Sequence, residues 1–202
     1  MSATLTSGER EPLVIHFSPI LKKMSEQEFY EFCRLNPDLS LELTSEGDLI
    51  IMPPTGGKSG LRNAILITRL TAWALEDKSG QAFDSSTAFT LPNGAKRSPD
   101  FAWVVNERWN ALTEEEQERF PPLCPDFVVE LRSRTDTLKN LRQKMEEYVA
   151  NGARLGWLID PQERRVYAYR PGAAVEQLDD PRTVSGDPVL RGLVLELQEI
   201  WD

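Results

Sequence analysis

The sequence predicts an α/β fold with a central mixed β-sheet flanked by helices. Three observations carry that prediction. Phe127-Val128-Val129-Glu130-Leu131 and Leu155-Gly156-Trp157-Leu158-Ile159 are short, β-rich runs separated by one amphipathic helix. Such a strand–helix–strand unit is a crossover, so these two strands are expected to lie parallel. Leu39, Leu41 and Leu43 alternate with Ser40, Glu42 and Thr44, turn at residues 45–48, and return as Leu49-Ile50-Ile51-Met52, which is an antiparallel hairpin. A longer helix carries Leu61, Ile65, Leu66, Leu70, Trp73 and Ala74 at helical spacing.

Residues 1–24 lack periodicity and read as an irregular leader, with residues 25–202 as one domain. Ser25 is an N-cap, with Glu28 completing a capping box ahead of Phe29, Phe32 and Cys33, and Asn36-Pro37 stops that helix. Gly56-Gly57 opens the long helix, which ends near Ser79-Gly80. Two strands are expected at 82–85 and 88–91, followed by a loop at 92–97. Ser98-Pro99-Asp100 then runs into the apolar Phe101-Ala102-Trp103-Val104-Val105. An acidic helix from Thr113 to Glu118 has Thr113 and Glu116 as its capping box, and Phe120-Pro121-Pro122 ends it. Cys124-Pro125-Asp126 leads into the 127–131 strand. After the polar loop 132–136, Leu138, Leu141, Met145, Tyr148 and Val149 form the buried stripe of a helix stopped by Asn151-Gly152. The strand at 155–159 is apolar on both faces, Val166-Tyr167-Ala168-Tyr169 returns beside it, and one or two short strands surround residues 189–197.

No apolar run approaches the ~20 residues that cross a bilayer, and the first twenty residues lack a secretory pattern. Cys33 and Cys124 make neither a disulfide framework nor a zinc site, so a reducing cytoplasm and no membrane are expected. A net charge of −9 excludes a protein that coats nucleic acid by charge alone. Residues 130–170 nevertheless hold nine bases against six acids, a local surplus compatible with a phosphate-rich substrate.

The chemistry gathers at the two Pro-Asp strands. If they pair antiparallel, Asp100 at the mouth of the first lies opposite Glu130 at the far end of the second. Two carboxylates then meet at one sheet edge, as Mg²⁺ needs when it takes one or two carboxylates plus water and substrate phosphate. Asp126 lies four residues from Glu130, roughly 13 Å along a strand, too far for the same ion, and reads as a turn residue. Lys144 sits at the edge of the 138–149 stripe, where its stem can lie on apolar surface and its ammonium reach Asp100 and Glu130. Two carboxylates and one ammonium form a phosphoryl-transfer site.

An Asp after Pro, an acid thirty residues on and a nearby Lys resemble the PD-(D/E)xK superfamily, the restriction-endonuclease-like nucleases. The closer resemblance is to its bacterial branch, the Uma-two family, over roughly residues 25 to 197. It rests on Ile51-Met52-Pro53-Pro54-Thr55-Gly56-Gly57, Arg97-Ser98-Pro99-Asp100, Ala111-Leu112-Thr113, Phe120-Pro121-Pro122, Pro125-Asp126-Phe127-Val128-Val129-Glu130, Lys144-Met145-Glu146-Glu147-Tyr148, Asn151-Gly152 and Gly156-Trp157-Leu158-Ile159-Asp160-Pro161. The resemblance implies a restriction-endonuclease-like core and a divalent-metal-dependent endonuclease that hydrolyses phosphodiesters in DNA. It implies Asp100 and Glu130 as the Mg²⁺ or Mn²⁺ ligands, Lys144 as the third catalytic group, and a homodimer as a compatible assembly. The chain departs from the pattern twice. Arg132 stands where the superfamily has its lysine and is an accessory candidate, as are Glu42 and Asp126. Lys58 follows the double glycine where relatives often carry an acid. The alternative reading is a catalytically inactive nuclease-fold module that binds or regulates; a self-associating assembly protein is a further rival.

Overall fold

The computed structural model describes residues 12–16 and 24–202. The chain begins with β1 (Leu13–Ile15), α1 (Glu26–Leu35), β2 (Ser40–Leu43), β3 (Leu49–Met52) and α2 (Gly57–Asp77). It continues through β4 (Gly80–Asp84), β5 (Phe89–Thr90), β6 (Lys96–Arg97), β7 (Phe101–Val105), α3 (Asn106–Trp109), α4 (Glu114–Glu118) and β8 (Phe127–Leu131). It ends with α5 (Leu138–Ala150), β9 (Leu155–Asp160), β10 (Arg165–Tyr169), β11 (Glu176–Asp179), β12 (Thr183–Ser185), β13 (Val194–Glu196) and α6 (Gln198–Trp201). Both capping boxes form: Ser25 with Glu28 at α1, and Thr113 with Glu116 at α4.

The larger sheet has the strand order β11-β10-β9-β8-β7-β4. It is mixed, because β8 and β9 run parallel while the other pairs are antiparallel. The parallel pair follows from α5 crossing back over one face. Strand alternation then sorts the side chains. Phe101, Trp103, Phe127, Val129, Trp157 and Ile159 pack with Leu66, Leu70 and Ala74 of α2 and with the C-terminal elements. Ala102, Val104, Val128 and Leu158 pack on the opposite face against Leu141, Met145 and Tyr148 of α5. Trp103 and Trp157 are thus core residues.

A second, antiparallel sheet has the order β1-β3-β2-β6-β5. Leu41, Leu43 and Leu49 form its core with Phe29 of α1. Glu42, between the two leucines, therefore points to the other face.

Several expectations need correcting. The leader expected to be irregular contains β1, which pairs with β3; residues 1–11 and 17–23 of it lie outside the described residues. Three residues are too short a run to show period. Leu61 is 64% exposed, because the buried stripe of α2 passes through Leu66, Leu70 and Ala74 instead. β11 escaped the sequence reading because Glu176-Gln177-Leu178-Asp179 is a polar edge strand, the usual protection of a sheet edge.

Gly80 faces Val105 across the β4–β7 ladder. A methyl group there would collide with the Trp103 ring and the Val104 carbonyl oxygen. Gly80→Ala is expected to cost about 1–3 kcal/mol by overpacking, read as an earlier urea midpoint.

Candidate active site

β7 and β8 pair with Phe101 opposite Val129 and Ala102 opposite Val128. One step further along this register, Asp100 falls opposite Glu130. Directly opposed residues in an antiparallel pair have Cβ atoms about 4.5–5.5 Å apart. Both acids occupy the α5 face, by the same parity as Ala102 and Val128. The Leu131 amide donates to Asp100 Oδ2 at 2.7 Å, which pins the aspartate to the end of β8.

Lys144 lies on α5 one turn from Leu141 and one turn from Tyr148, the two buried residues that dock this helix on the sheet. Its ammonium is 2.9 Å from Glu130 Oε1 and 2.7 Å from Glu42 Oε1. The Tyr148 hydroxyl donates to the same Glu130 oxygen at 3.1 Å. Glu42 Oε1 also accepts the Ser98 amide, and its Oε2 is 3.1 Å from Arg97. Arg97 in turn pairs with Glu147 at 2.6 Å. The structure thus brings together Asp100, Glu130, Lys144 and the outer candidate Glu42. It adds Arg97, Glu147 and Tyr148, to which sequence reasoning assigned no role although all three lie in the motifs above.

All of these but Tyr148 line a cleft of about 700 Å³, whose walls are β1, the β2–β3 hairpin, the start of α2 and the first turns of α5. Glu42 and Glu130 are buried and Asp100 is half-buried. Burial pushes Asp100 up to about 6, against the Leu131 hydrogen bond and Lys144. Burial, with the charges of Asp100 and Glu42, pushes Glu130 up to about 8 in spite of Lys144. Burial would raise Glu42 too, but Lys144 and Arg97 outweigh it and hold this carboxyl below its ordinary value. Burial disfavours the Lys144 ammonium, yet Glu130 and Glu42 prevail and raise it above an ordinary lysine. Lys144 is therefore a permanent cation and a hydrogen-bond donor.

Two accessory candidates fall elsewhere. Asp126 is at the opposite end of β8, where it accepts the Val105 amide at 3.0 Å and pairs with Arg108 at 3.1 Å. Arg132 holds the fully buried Asp160 at 2.7 Å and does not line the cleft. The basic surplus of 130–170 is also largely consumed: Arg164, Arg165 and Arg170 pair with Asp180, Asp179 and Glu176. A composition count reports charge without its neighbours, and β11 supplies these.

The donor set suits a hard divalent cation. Among the described residues, no group of three or more His, Cys, Asp or Glu side chains is placed to hold a metal ion. Mg²⁺ does not require one, since water and substrate phosphate fill most of its octahedron. The linked ionisable groups are four carboxylates, Glu42, Asp100, Glu130 and Glu147, and two cations, Lys144 and Arg97. Fully ionised, the set carries two negative charges in excess, the complement of one divalent ion. Among the described residues, Asp100 Oδ1 and Glu130 Oε2 accept no hydrogen bond, and neither is a sealed, unpartnered atom.

The sequence model of a family described as "Putative restriction endonuclease" matches residues 26–198. The chain belongs to the Uma2 family. It is similar to a solved structure titled "a putative nuclease belonging to DUF820", from Anabaena variabilis ATCC 29413, at 23% identity. That match covers 88% of this chain and 97% of the other, with a TM-score of 0.73. No curated protein matches the chain. The fold is restriction-endonuclease-like. Among the described residues, no helix is long and apolar enough to cross a membrane.

The two raised carboxyls set a pH dependence. Each binds its proton more tightly in the folded chain than in the unfolded one. The stability this lends is complete below about pH 4 and is lost as pH rises through about 6 for Asp100 and about 8 for Glu130. With EDTA present, thermal melts should show Glu130→Gln gaining on the parent between about pH 5 and pH 8. A constant difference across that range would refute the assignment.

Proposed function

We propose that this Uma2 protein is a divalent-metal-dependent endonuclease that hydrolyses phosphodiester bonds in DNA. The observation that carries the reading is the Asp100–Glu130 pair, opposed across β7 and β8 on the floor of a cleft with Lys144 beside it. Family membership supports the nuclease class. Asp100 and Glu130 would hold Mg²⁺ or Mn²⁺. When bound, the ion supplies Lewis-acid polarisation of the phosphate and a more acidic water.

The chain's own residues do the rest. Asp100, fixed by the Leu131 amide, and Glu130, fixed by Tyr148 and Lys144, keep their carboxylates aligned before substrate arrives. Lys144 cannot act as a base, because its two carboxylate neighbours keep it protonated. Its role is to donate a hydrogen bond to the attacking water or to the phosphate oxygen on which charge grows. Glu42, itself pinned by Arg97 and the Ser98 amide, holds that ammonium in place from the second sheet.

Cleavage of a mixed DNA panel with Mg²⁺ or Mn²⁺ tests the reading. Asp100→Ala and Glu130→Ala should each lower the rate by at least ~10²-fold. Asp126→Ala should cost about 1–3 kcal/mol of stability and leave cleavage intact, since it removes the acceptor of the Val105 amide and the Arg108 ion pair at the far end of β8. Equal activity of the parent and Asp100→Ala would reject the site.

A second outcome concerns protons. Ion binding must displace the proton that Glu130 retains near neutrality. Calorimetric Mn²⁺ titrations in two buffers of different ionisation enthalpy should show proton release that diminishes above about pH 8. Binding without proton release at neutral pH would place the ion elsewhere.

A further inference from the structure

Resting on the nuclease reading above, we infer that the cleft takes an unpaired DNA strand, with one nucleotide's base and sugar inside it, in preference to a duplex. The first argument is depth. Glu42 and Glu130 are buried on the cleft floor, so a scissile phosphate must come down to them. The second is size. About 700 Å³ lies within the ~300–1,000 Å³ of pockets that enclose a single small molecule. A duplex cannot lower one phosphate to that floor without drawing its stacked neighbours in after it. A single strand can, because its bases turn independently.

Charge points the same way. A duplex presents one phosphate charge per ~1.7 Å of axis and is gripped by Lys and Arg on successive phosphates. The described lining has seven carboxylates and only two such cations, Lys144 and Arg97. Arg97 is taken up by Glu42 and Glu147, and Lys144, paired with Glu42 and Glu130, serves the one scissile phosphate and no flanking one. Glu46 stands exposed at the rim, where the flanking phosphates of a duplex would pass. The remaining wall is neutral: Val14, Ile50 and Leu131 offer apolar contact, and Asn63, Asn140 and Gln143 offer amide hydrogen bonds. Apolar walls with a few neutral hydrogen-bonding groups receive a base taken out of the stack.

The test is one labelled oligonucleotide, alone or annealed to its complement, with Mn²⁺ and the intact protein, and with Asp100→Ala run beside it. The single strand should be cut at least ~10-fold faster than the duplex. A duplex cut as fast or faster would overturn the inference and leave the nuclease reading standing. Cleavage of neither probe would reject the nuclease reading instead. Fluorescence anisotropy with the same two probes would then decide the inference. Single strand bound at least ~10-fold more tightly supports it; duplex bound equally or better, or no binding of either, overturns it.

Discussion

One buried ammonium couples the two sheets. Lys144 reaches Glu130 on the large sheet and Glu42 on the small one, at 2.9 and 2.7 Å. Removing three charges from water is costly unless each finds its complement. Here the complement is only partial. Lys144 and Arg97 hold Glu42 in its ionised form, and the remaining deficit falls on Asp100 and Glu130, both of which retain protons more tightly than ordinary carboxyls. The cleft is therefore held together by ion pairs that leave it short of positive charge. A fold that wanted only stability would place apolar groups there, since well-packed hydrophobic replacements of buried ion pairs are often neutral or stabilising. The shortage is what a divalent cation would make good, at the two carboxylate oxygens left without a partner.

That arrangement was legible in part from sequence, for a geometric reason. Opposition of Asp100 and Glu130 needs only the strand period and the antiparallel sense of two apolar runs. Lys144 needs only the helical period, which places it beside Leu141 and Tyr148. Both are local rules, and the register bears out the placement. Glu42 was harder. Alternation along β2 marks it as the polar face, and a polar face ordinarily looks at water. Only the packing of the small sheet beside the large one turns that face inward. Arg97 and Glu147 are fifty residues apart in sequence and 2.6 Å apart in space. No period in either segment encodes that meeting, because it depends on how a β6 residue and an α5 residue converge after both sheets have formed.

The accessory candidates that fall outside the cleft reflect the same limit. Arg132 and Asp126 carry the right functional groups near the right motifs, but each is matched to a partner remote in sequence, Asp160 and Arg108. Asp126 is also consumed by the Val105 amide, a buried donor that would otherwise go unpaired. A side chain serving a buried backbone group and an ion pair at once has no free oxygen for chemistry. The arginines opposite β11 went the same way: their charges were counted correctly and their neighbours were not visible.

Lys58 is the feature that most favours an inactive relative, and its position weakens that argument. It lies in the first turn of α2 and lines a hollow that adjoins the carboxylate cleft, with Gly56, Gly57 and residues of the 133–135 loop. It is not among the residues lining the carboxylate cleft. A lysine there cannot neutralise Asp100 or Glu130 as Lys144 does, and it takes no hydrogen bond from the aligned pair. An acid at that position would enlarge the negative excess of the neighbourhood from outside; its absence leaves the excess of two within the linked set unchanged. Erosion of a metal centre would be expected to act on the opposed pair itself, by replacing one carboxylate or by supplying a second cation to Glu130. Neither is seen among the described residues, where Glu130 pairs with the Lys144 ammonium and accepts from a neutral tyrosine.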